Sequence, residues 1–218
     1  MPVEKLEALV LREQAAGETN KQLIVLARGR GRMLLSARGA RKPQSKLLAV
    51  AQPFVYGEYL VYPGRGFASI TEGTVLRGFY GLRRELSRLG AAAYCAELCE
   101  QATPEGVEAD GILRLALTTL AVLSKTEFSP RLAACIFELA LLSESGFLAE
   151  AVDLAQSFGL SPGAEAAAAY IQEHRGPELF RFGVSPEVLG ELERMSCRLV
   201  GETFAYRPKS RDFLRNLD

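Results

Sequence analysis

Seven cationic side chains between residues 28 and 46 form the group whose types and spacing point most directly to a chemical task. No acidic residue interrupts them, and they are Arg28, Arg30, Arg32, Arg38, Arg41, Lys42 and Lys46. Such cations on adjoining loops can follow a phosphate backbone, and each phosphate they neutralise releases counterions. The cluster therefore predicts a nucleic-acid-binding surface, to which we add Arg65 in a later glycine-rich turn. The alternative is a basic surface that is simply solvated.

Other residue types give little support for catalysis. The only histidine, His174, lies in a stretch typical of an exposed helix end, where the helix dipole accounts for it. Cys95 and Cys99 are four apart, but no pair has the C-x2-C spacing of zinc sites, so the cysteines are expected to be small buried residues. An enzyme that uses Glu58 with Glu72 on neighbouring strands is an alternative without a supporting motif. We predict no catalytic residue, no metal and no cofactor.

Aromatic residues follow the basic cluster closely, at Phe54, Tyr56, Tyr59, Tyr62 and Phe67. A ring that points outward can stack on an unpaired base, which is worth about 1–3 kcal/mol. Alternation along a strand divides such residues between two faces, so we expect most of them in the core. Tyr59 and Phe67 are the candidates for stacking.

Short apolar segments separated by Gly, Pro and Asn turns predict that β-strands position these residues. Helical periodicity is absent from the first 80 residues, and the predicted strands are 8–12, 21–26, 32–37, 54–62 and 67–76. An open sheet this short would leave edges uncovered, whereas closure removes most of them. We therefore predict a five-stranded OB-fold β-barrel.

From Leu82 onward the apolar spacing becomes helical, with Arg88 among the polar residues of an amphipathic helix. Segments 112–123 and 132–142 are apolar on nearly every side, which predicts the central helices of a bundle. Ser129 and Ser185 each precede a proline and are typical helix starts. The predicted fold class is α+β with two domains: an OB-fold DNA-binding domain over residues 1–80, then an all-α partner-binding domain over residues 81–218.

The net charge of zero conceals a division along the chain. Residues 1–90 carry 15 Lys and Arg against 7 Asp and Glu, a net charge of +8, and the remaining residues carry 11 against 19, a net charge of −8. Two units with different partners are indicated. The chain has no apolar run long enough to span a bilayer and no secretory signal at its start, so we expect no membrane contact and a cytoplasmic location.

Several motifs resemble, in order and spacing, the RecO family of bacterial recombination mediators. They are RGARKPQSK at 38–46, QPF at 52–54, YPGRG at 62–66 and GLR at 81–83. The resemblance covers roughly the first 100 residues, while the helical remainder matches only loosely.

This resemblance implies binding of single- and double-stranded DNA, annealing of complementary strands, and help in loading RecA onto DNA coated by single-strand-binding protein in RecF-pathway repair. RecR and the C-terminal tail of single-strand-binding protein are the implied partners, and the implied location is the bacterial nucleoid. DNA contacts fall on Arg38, Arg41, Lys42 and Lys46, which electrostatics also selects. A generic OB-fold RNA-binding protein is the alternative.

The acidic tail of single-strand-binding protein would need a basic pocket within the acidic helical domain. Arg131, Arg175, Arg198 or the basic segment near the C-terminus could supply it.

Many members of the family carry a zinc module with two C-x2-C pairs, but residues 143–183 contain no cysteine. We therefore expect that the module has lost its metal. The hypothesis is that a small apolar cluster replaces it, formed by Phe147, Leu154, Phe158 and Leu160.

Overall fold

The computed structural model describes residues 3–64, 67–125, 127–205 and 210–211, which form two compact units. The first unit takes in the chain up to Tyr80 together with Cys99–Leu113, and the second takes in Gly81–Leu98 and the chain from Arg114 onward. The first unit is therefore discontinuous in sequence, which the predicted division at residue 80 did not anticipate.

Five strands make up most of the first unit: β1 (Glu4–Ala16), β2 (Asn20–Ala27), β3 (Gly31–Ala37), β4 (Val55–Tyr62) and β5 (Ala68–Gly78). β1 is much longer than predicted. Its outward positions carry charged residues such as Lys5 and Arg12, so a search for apolar segments did not find the whole strand.

The strands close into a barrel in the order β1-β2-β3-β5-β4, and β4 pairs again with β1. All neighbouring strands are antiparallel except β3 and β5, which run parallel. The barrel interior is filled by apolar side chains from every strand, among them Val10, Val25, Leu35 and Tyr59. The prediction of an OB-fold barrel followed by helices is confirmed.

Six α-helices follow in the described part of the chain: α1 (Leu86–Ala102), α2 (Asp110–Leu123), α3 (Pro130–Glu144), α4 (Ala151–Phe158), α5 (Pro162–Glu173) and α6 (Pro186–Phe204). A short 3-10 segment, Tyr80–Arg84, precedes α1, so the first helix begins later than predicted. No helix among the described residues is long and apolar enough to cross a membrane.

Serine residues begin three of these helices. The hydroxyls of Ser129, Ser161 and Ser185 each accept a backbone N–H from the first turn, and a proline follows each serine. This confirms the predicted starts at Ser129 and Ser185. The serine cap satisfies an otherwise orphaned donor, and proline has no N–H to lose at that position.

Arg88 lies in the interior of the helical unit rather than on a polar helix face. Its guanidinium donates to the carbonyl oxygens of Leu123 and Phe128 at 3.2 and 3.3 Å, and also to that of Lys125. These carbonyls lie at and beyond the end of α2, where backbone acceptors have no helical partner. Arg88 therefore caps α2 from within, and its assignment to the polar face of an amphipathic helix was wrong.

A second buried polar group lies between α3 and α6. The carboxylate of Glu138 accepts hydrogen bonds from the hydroxyls of Tyr94 and Ser196 and pairs with Arg211 at 3.1 Å. Burial raises the pKa of Glu138 above its ordinary value, while the Arg211 guanidinium acts in the opposite direction. The C-terminal Arg211 thereby compensates a carboxylate in the core of the helical unit.

Candidate nucleic-acid interface

Six of the seven cations of the predicted cluster lie in two groups at opposite ends of the β2–β3 ladder, and the seventh, Arg32, lies at the start of β3. Arg28 and Arg30 lie in the hairpin turn between the two strands, whereas Arg38, Arg41, Lys42 and Lys46 follow the far end of β3. At about 3.3 Å per residue, the seven residues of β3 separate the two groups by about 20 Å. The seven cations are close together in the sequence because β3 has only seven residues. An extended strand of that length nevertheless separates its two ends widely.

The hairpin group is compensated by carboxylates of β1. Arg28 pairs with Glu7 at 3.2 Å and donates to the hydroxyl of Tyr56 at 2.9 Å. Arg30 pairs with Glu4 at 2.7 Å. Burial, together with a hydrogen bond to Glu7, raises the pKa of Tyr56 to about 12, so the phenol stays protonated within this cluster. Arg28 and Arg30 therefore add little uncompensated positive charge to the surface.

The segment after α1 covers the same hairpin. The Gly106 N–H donates to the Arg32 carbonyl oxygen at 3.1 Å, and the Gly29 N–H donates to the Asp110 carboxylate at 2.7 Å. Glu105 forms a short parallel bridge with Arg32, whose side chain is half-buried. Sequence reasoning missed this segment because backbone groups make most of its contacts.

The second group lies on the basic loop, which we define as residues 38–54 between β3 and β4. One side of the loop is apolar, and Ala40, Leu47, Val50 and Ala51 are buried in the barrel core. Tyr59 donates its hydroxyl to the carbonyl oxygen of Val50 at 2.9 Å. The loop is thus packed onto the barrel by its apolar side, and its four cations, Arg38, Arg41, Lys42 and Lys46, remain exposed.

Hydrogen bonds tie the start of the basic loop to the β1–β2 turn. The Gly39 N–H donates to the Asn20 side-chain oxygen at 2.8 Å, and the Arg41 N–H donates to the Thr19 carbonyl oxygen at 2.9 Å. The Arg41 guanidinium also donates to the Gly17 carbonyl oxygen at 2.9 Å. The backbone that carries the cations is therefore held in place before any ligand binds, which lowers the entropy lost on binding.

Arg38, Lys42 and Lys46 carry uncompensated charge. Within the described ranges no carboxylate pairs with any of the three. Arg65, the eighth predicted contact, lies outside the described residues. The basic loop is consequently the most strongly cationic surface that the described part of the barrel offers to a polyanion.

The aromatic residues divide between core and surface. Tyr59 is 0% exposed, so the expectation that it stacks on bases was wrong. Alternation with Val55, Gly57 and Val61 on β4 could have shown this, because those positions form the inner face. Phe67 and Tyr62 are exposed large side chains.

The three arginines predicted for partner binding are each paired with a glutamate. Arg131 makes two hydrogen bonds with Glu193, at 2.9 and 2.7 Å. Arg175 pairs with Glu144 at 3.0 Å, and Arg198 pairs with Glu202 at 2.8 Å.

The three arginines do not share one pocket among the residues that the structure describes. A small cavity beside Arg131 is lined by Tyr94, Glu138, Glu193 and Arg211, but not by Arg175 or Arg198.

Glu58 and Glu72 do not lie directly opposite each other on β4 and β5. Glu58 lies opposite Thr74 and pairs with Lys5 at 2.8 Å, while Glu72 lies opposite Leu60. His174 stacks on Tyr170 with ring centroids 3.7 Å apart. Among the described residues no three His, Cys, Asp or Glu side chains are grouped in a way that could hold a metal ion.

The apolar cluster expected in place of a zinc module is incomplete. Leu154 is buried and Phe158 and Leu160 are half-buried, but Phe147 is 61% exposed. Arg198 lies over the ring of Phe158 at 5.7 Å from its centroid. The inclusion of Phe147 in this cluster was wrong.

Comparison with known proteins matches both parts of the chain to one family. A family model described as the N-terminal part of recombination protein O matches residues 1–79, and the model of its C-terminal part matches residues 83–156. A protein named DNA repair protein RecO from Acetivibrio thermocellus is 28% identical over 98% of this chain and 97% of its own length.

Further relatives with the same name match shorter stretches. The protein from Alkaliphilus metalliredigens is 35% identical over 65% of this chain and 58% of its own length. The protein from Bacillus subtilis is 42% identical over 46% of this chain and 40% of its own length.

Proposed function

Because the chain belongs to the RecO family of DNA repair proteins, we propose that it is a non-enzymatic recombination mediator that works through its basic loop. It binds single- and double-stranded DNA, anneals complementary strands, and helps load RecA onto DNA coated by single-strand-binding protein in the RecF pathway. The observation that carries the proposal is the exposed set Arg38, Arg41, Lys42 and Lys46 on a loop whose backbone is hydrogen-bonded to the barrel.

The chemistry required of this surface is electrostatic. Two complementary strands repel each other through their phosphates over a range of about 10 Å at 0.1 M salt. Cations of the protein that neutralise phosphates weaken this repulsion. A loop that holds one strand while its remaining charge attracts a second lowers the barrier to pairing. No bond is made or broken, so no catalytic residue is needed.

The acidic helical unit is proposed to recruit proteins, with RecR and the tail of single-strand-binding protein as its partners. Arg131, Arg175 and Arg198 are the proposed contacts. Arg131 is the first to test, because its partner Glu193 lines a cavity. A carboxylate of the incoming tail could replace Glu193 there as the partner of Arg131. The proposed setting is the bacterial cytoplasm, at the nucleoid.

The decisive experiment is an annealing assay on complementary oligonucleotides, with and without single-strand-binding protein. Lys42→Ala with Lys46→Ala removes two cations that hold no structural contact in the described part of the chain. We expect this double variant to anneal more slowly and to bind DNA less tightly. The matched control, Arg28→Gln with Arg30→Gln, removes the same charge from the compensated hairpin and should change both activities little.

The proposal fails if the loop variant anneals like the unchanged protein, or if both double variants lose activity equally. RNA oligonucleotides of the same sequence test the alternative function at the same salt concentration. Tighter binding to RNA than to DNA would favour an RNA-binding protein.

A further inference from the structure

A row of outward-facing residues crosses three strands of the barrel beside the basic loop. Ser36 on β3 lies opposite Ser69 on β5, and Ser69 lies opposite Tyr62 on β4. Leu35 and Ile70, which neighbour this row along the strands, are core residues. Because side chains alternate between the two faces of a strand, the row faces outward.

One exposed aromatic ring ends this row on β4, and a second lies just before the start of β5. Tyr62 is 48% exposed, and Phe67, two residues before Ser69, is 42% exposed. Single exposed apolar residues are common on protein surfaces and need no explanation. What distinguishes these two is their place beside uncompensated cations.

The distances suit a short stretch of nucleic acid. Neighbouring strands lie about 4.8 Å apart, so two strand steps place the backbones of Ser36 and Tyr62 about 10 Å apart. Arg38 follows Ser36 by two residues and is exposed. The backbone of Tyr62 and the start of the basic loop are therefore separated by a distance that one or two nucleotides can bridge.

The row between the basic loop and the rings carries no charged side chain. Ser36 and Ser69 have small side chains, and Gln22 continues the row on β2 opposite Ser36. The exposed carboxylate of Glu72 lies in a different row, opposite Leu60. A phosphate backbone would be repelled from that row and favoured along the serines.

Gly64 helps to position Phe67. A Cβ added at Gly64 would lie 2.6 Å from the carbonyl oxygen of Phe67, closer than side-chain atoms are found to approach. Glycine at position 64 therefore permits this close approach to Phe67, the residue before β5.

We propose that Tyr62 and Phe67 form a base-stacking platform, and that the basic loop holds the phosphates of the same single strand. This inference rests on the proposed DNA-binding function and adds recognition of the bases, which charge alone does not provide. Unpaired bases offer free faces to aromatic rings, whereas the bases of a duplex are already stacked on each other. The platform therefore makes the barrel selective for single strands over duplex.

The test compares three ligands of equal length: oligothymidylate, an abasic oligonucleotide with the same phosphates, and a duplex. Tyr62→Ala and Phe67→Ala should each weaken oligothymidylate binding about five-fold or more, which is the lower end of the range for one stacked base. Binding of the abasic strand and of the duplex should stay unchanged. Tyr62→Phe, in contrast to Tyr62→Ala, should leave oligothymidylate binding unchanged, since phenylalanine keeps the ring.

Leu76→Ala is the matched control, because Leu76 is an exposed apolar residue on the same strand as Ser69 but beyond the row. A direct optical readout is also available. The chain has seven tyrosines and no tryptophan, so tyrosine emission can be observed without interference. Oligothymidylate should quench part of it, and Tyr62→Phe should remove that part while binding persists.

The outcomes separate the two proposals. If the ring variants bind all three ligands normally while Lys42→Ala with Lys46→Ala weakens all three, the platform is refuted and the basic loop stands. If the ring variants lose the abasic strand as much as oligothymidylate, stacking is again refuted. If neither set of variants changes binding, the proposed function itself fails.

Discussion

The guanidinium of Arg41 lies 2.9 Å from the carbonyl oxygen of Gly17. Arg41 therefore contributes positive charge to the basic loop and also holds that loop against the β1–β2 turn. Lys42, the next residue, carries the same charge without such a contact. We expect Arg41→Ala and Lys42→Ala to lower the slope of log affinity against log salt equally, by about 0.7 for one lost contact to a single strand. Arg41→Ala alone should also speed amide hydrogen exchange at residues 38–42.

Salt titrations and exchange mass spectrometry measure the two effects separately. Equal exchange in the two variants would show that the Arg41 contact does not hold the loop.

Gly31 lies where the covering segment 104–110 crosses the β2–β3 hairpin. An added Cβ would lie 1.7 Å from the Val107 carbonyl oxygen, and the residue has a φ of +66°. Gly31→Ala should therefore lower the free energy of unfolding by more than about 2 kcal/mol, because strain and displacement of the segment add together. Urea denaturation followed by circular dichroism measures this loss.

Gly29, in the same hairpin, provides the control. It has a φ of +68° but open space around its Cβ position. Gly29→Ala should lower the free energy of unfolding only by the cost of the left-handed backbone conformation for alanine, about 1–2 kcal/mol. Similar losses in the two alanine variants would mean that the segment does not pack on Gly31.

Replacing Arg88 should unfold the helical unit at lower denaturant concentration. Arg88→Met keeps much of the volume but leaves the carbonyls of Leu123 and Phe128 without their donor, at about 1–3 kcal/mol for each buried group left unpaired. Arg114→Met, on an exposed position of α2, is the control and should change stability little. Equal midpoints for the two variants would contradict the capping role.

Glu138 should make the stability of the helical unit depend on pH. Because burial raises its pKa above the ordinary value of 4.5, its contribution to stability is fully present below that value and is lost as pH rises through the folded pKa. Glu138→Gln should flatten the pH profile of the unfolding free energy.

Arg211 lowers the pKa of Glu138, so Arg211→Gln should extend the loss of stability to higher pH. Denaturation series at several pH values measure both variants. An unchanged slope in Glu138→Gln would show that this carboxyl group does not titrate during unfolding.

The barrel could be predicted from the sequence because its signals are local. Turn residues and alternation mark each strand, and closure follows from the need to cover edges. The cations of the basic loop were found for the same reason, since charge density is visible without a fold.

What the sequence could not reveal depends on contacts between distant residues. Arg88 resembled a surface residue because the carbonyls that it caps carry no sequence signal. Arg28 and Arg30 resembled the other cations until their partners Glu7 and Glu4 were brought across from β1. Tyr62 was not singled out from the sequence, although alternation with the buried Val61 on β4 places it on the outer face.

The barrel unit is encoded in two stretches, with Gly81–Leu98 of the helical unit between them. A ribosome therefore synthesises all five strands before it has made the residues that cover the β2–β3 hairpin, and it makes Gly81–Leu98 of the other unit in between. Until Asp110 emerges, the Gly29 N–H lacks its acceptor. A fragment that ends at residue 80 would always lack the segment that covers the hairpin. Experiments on the isolated barrel should therefore use a fragment that extends to residue 113.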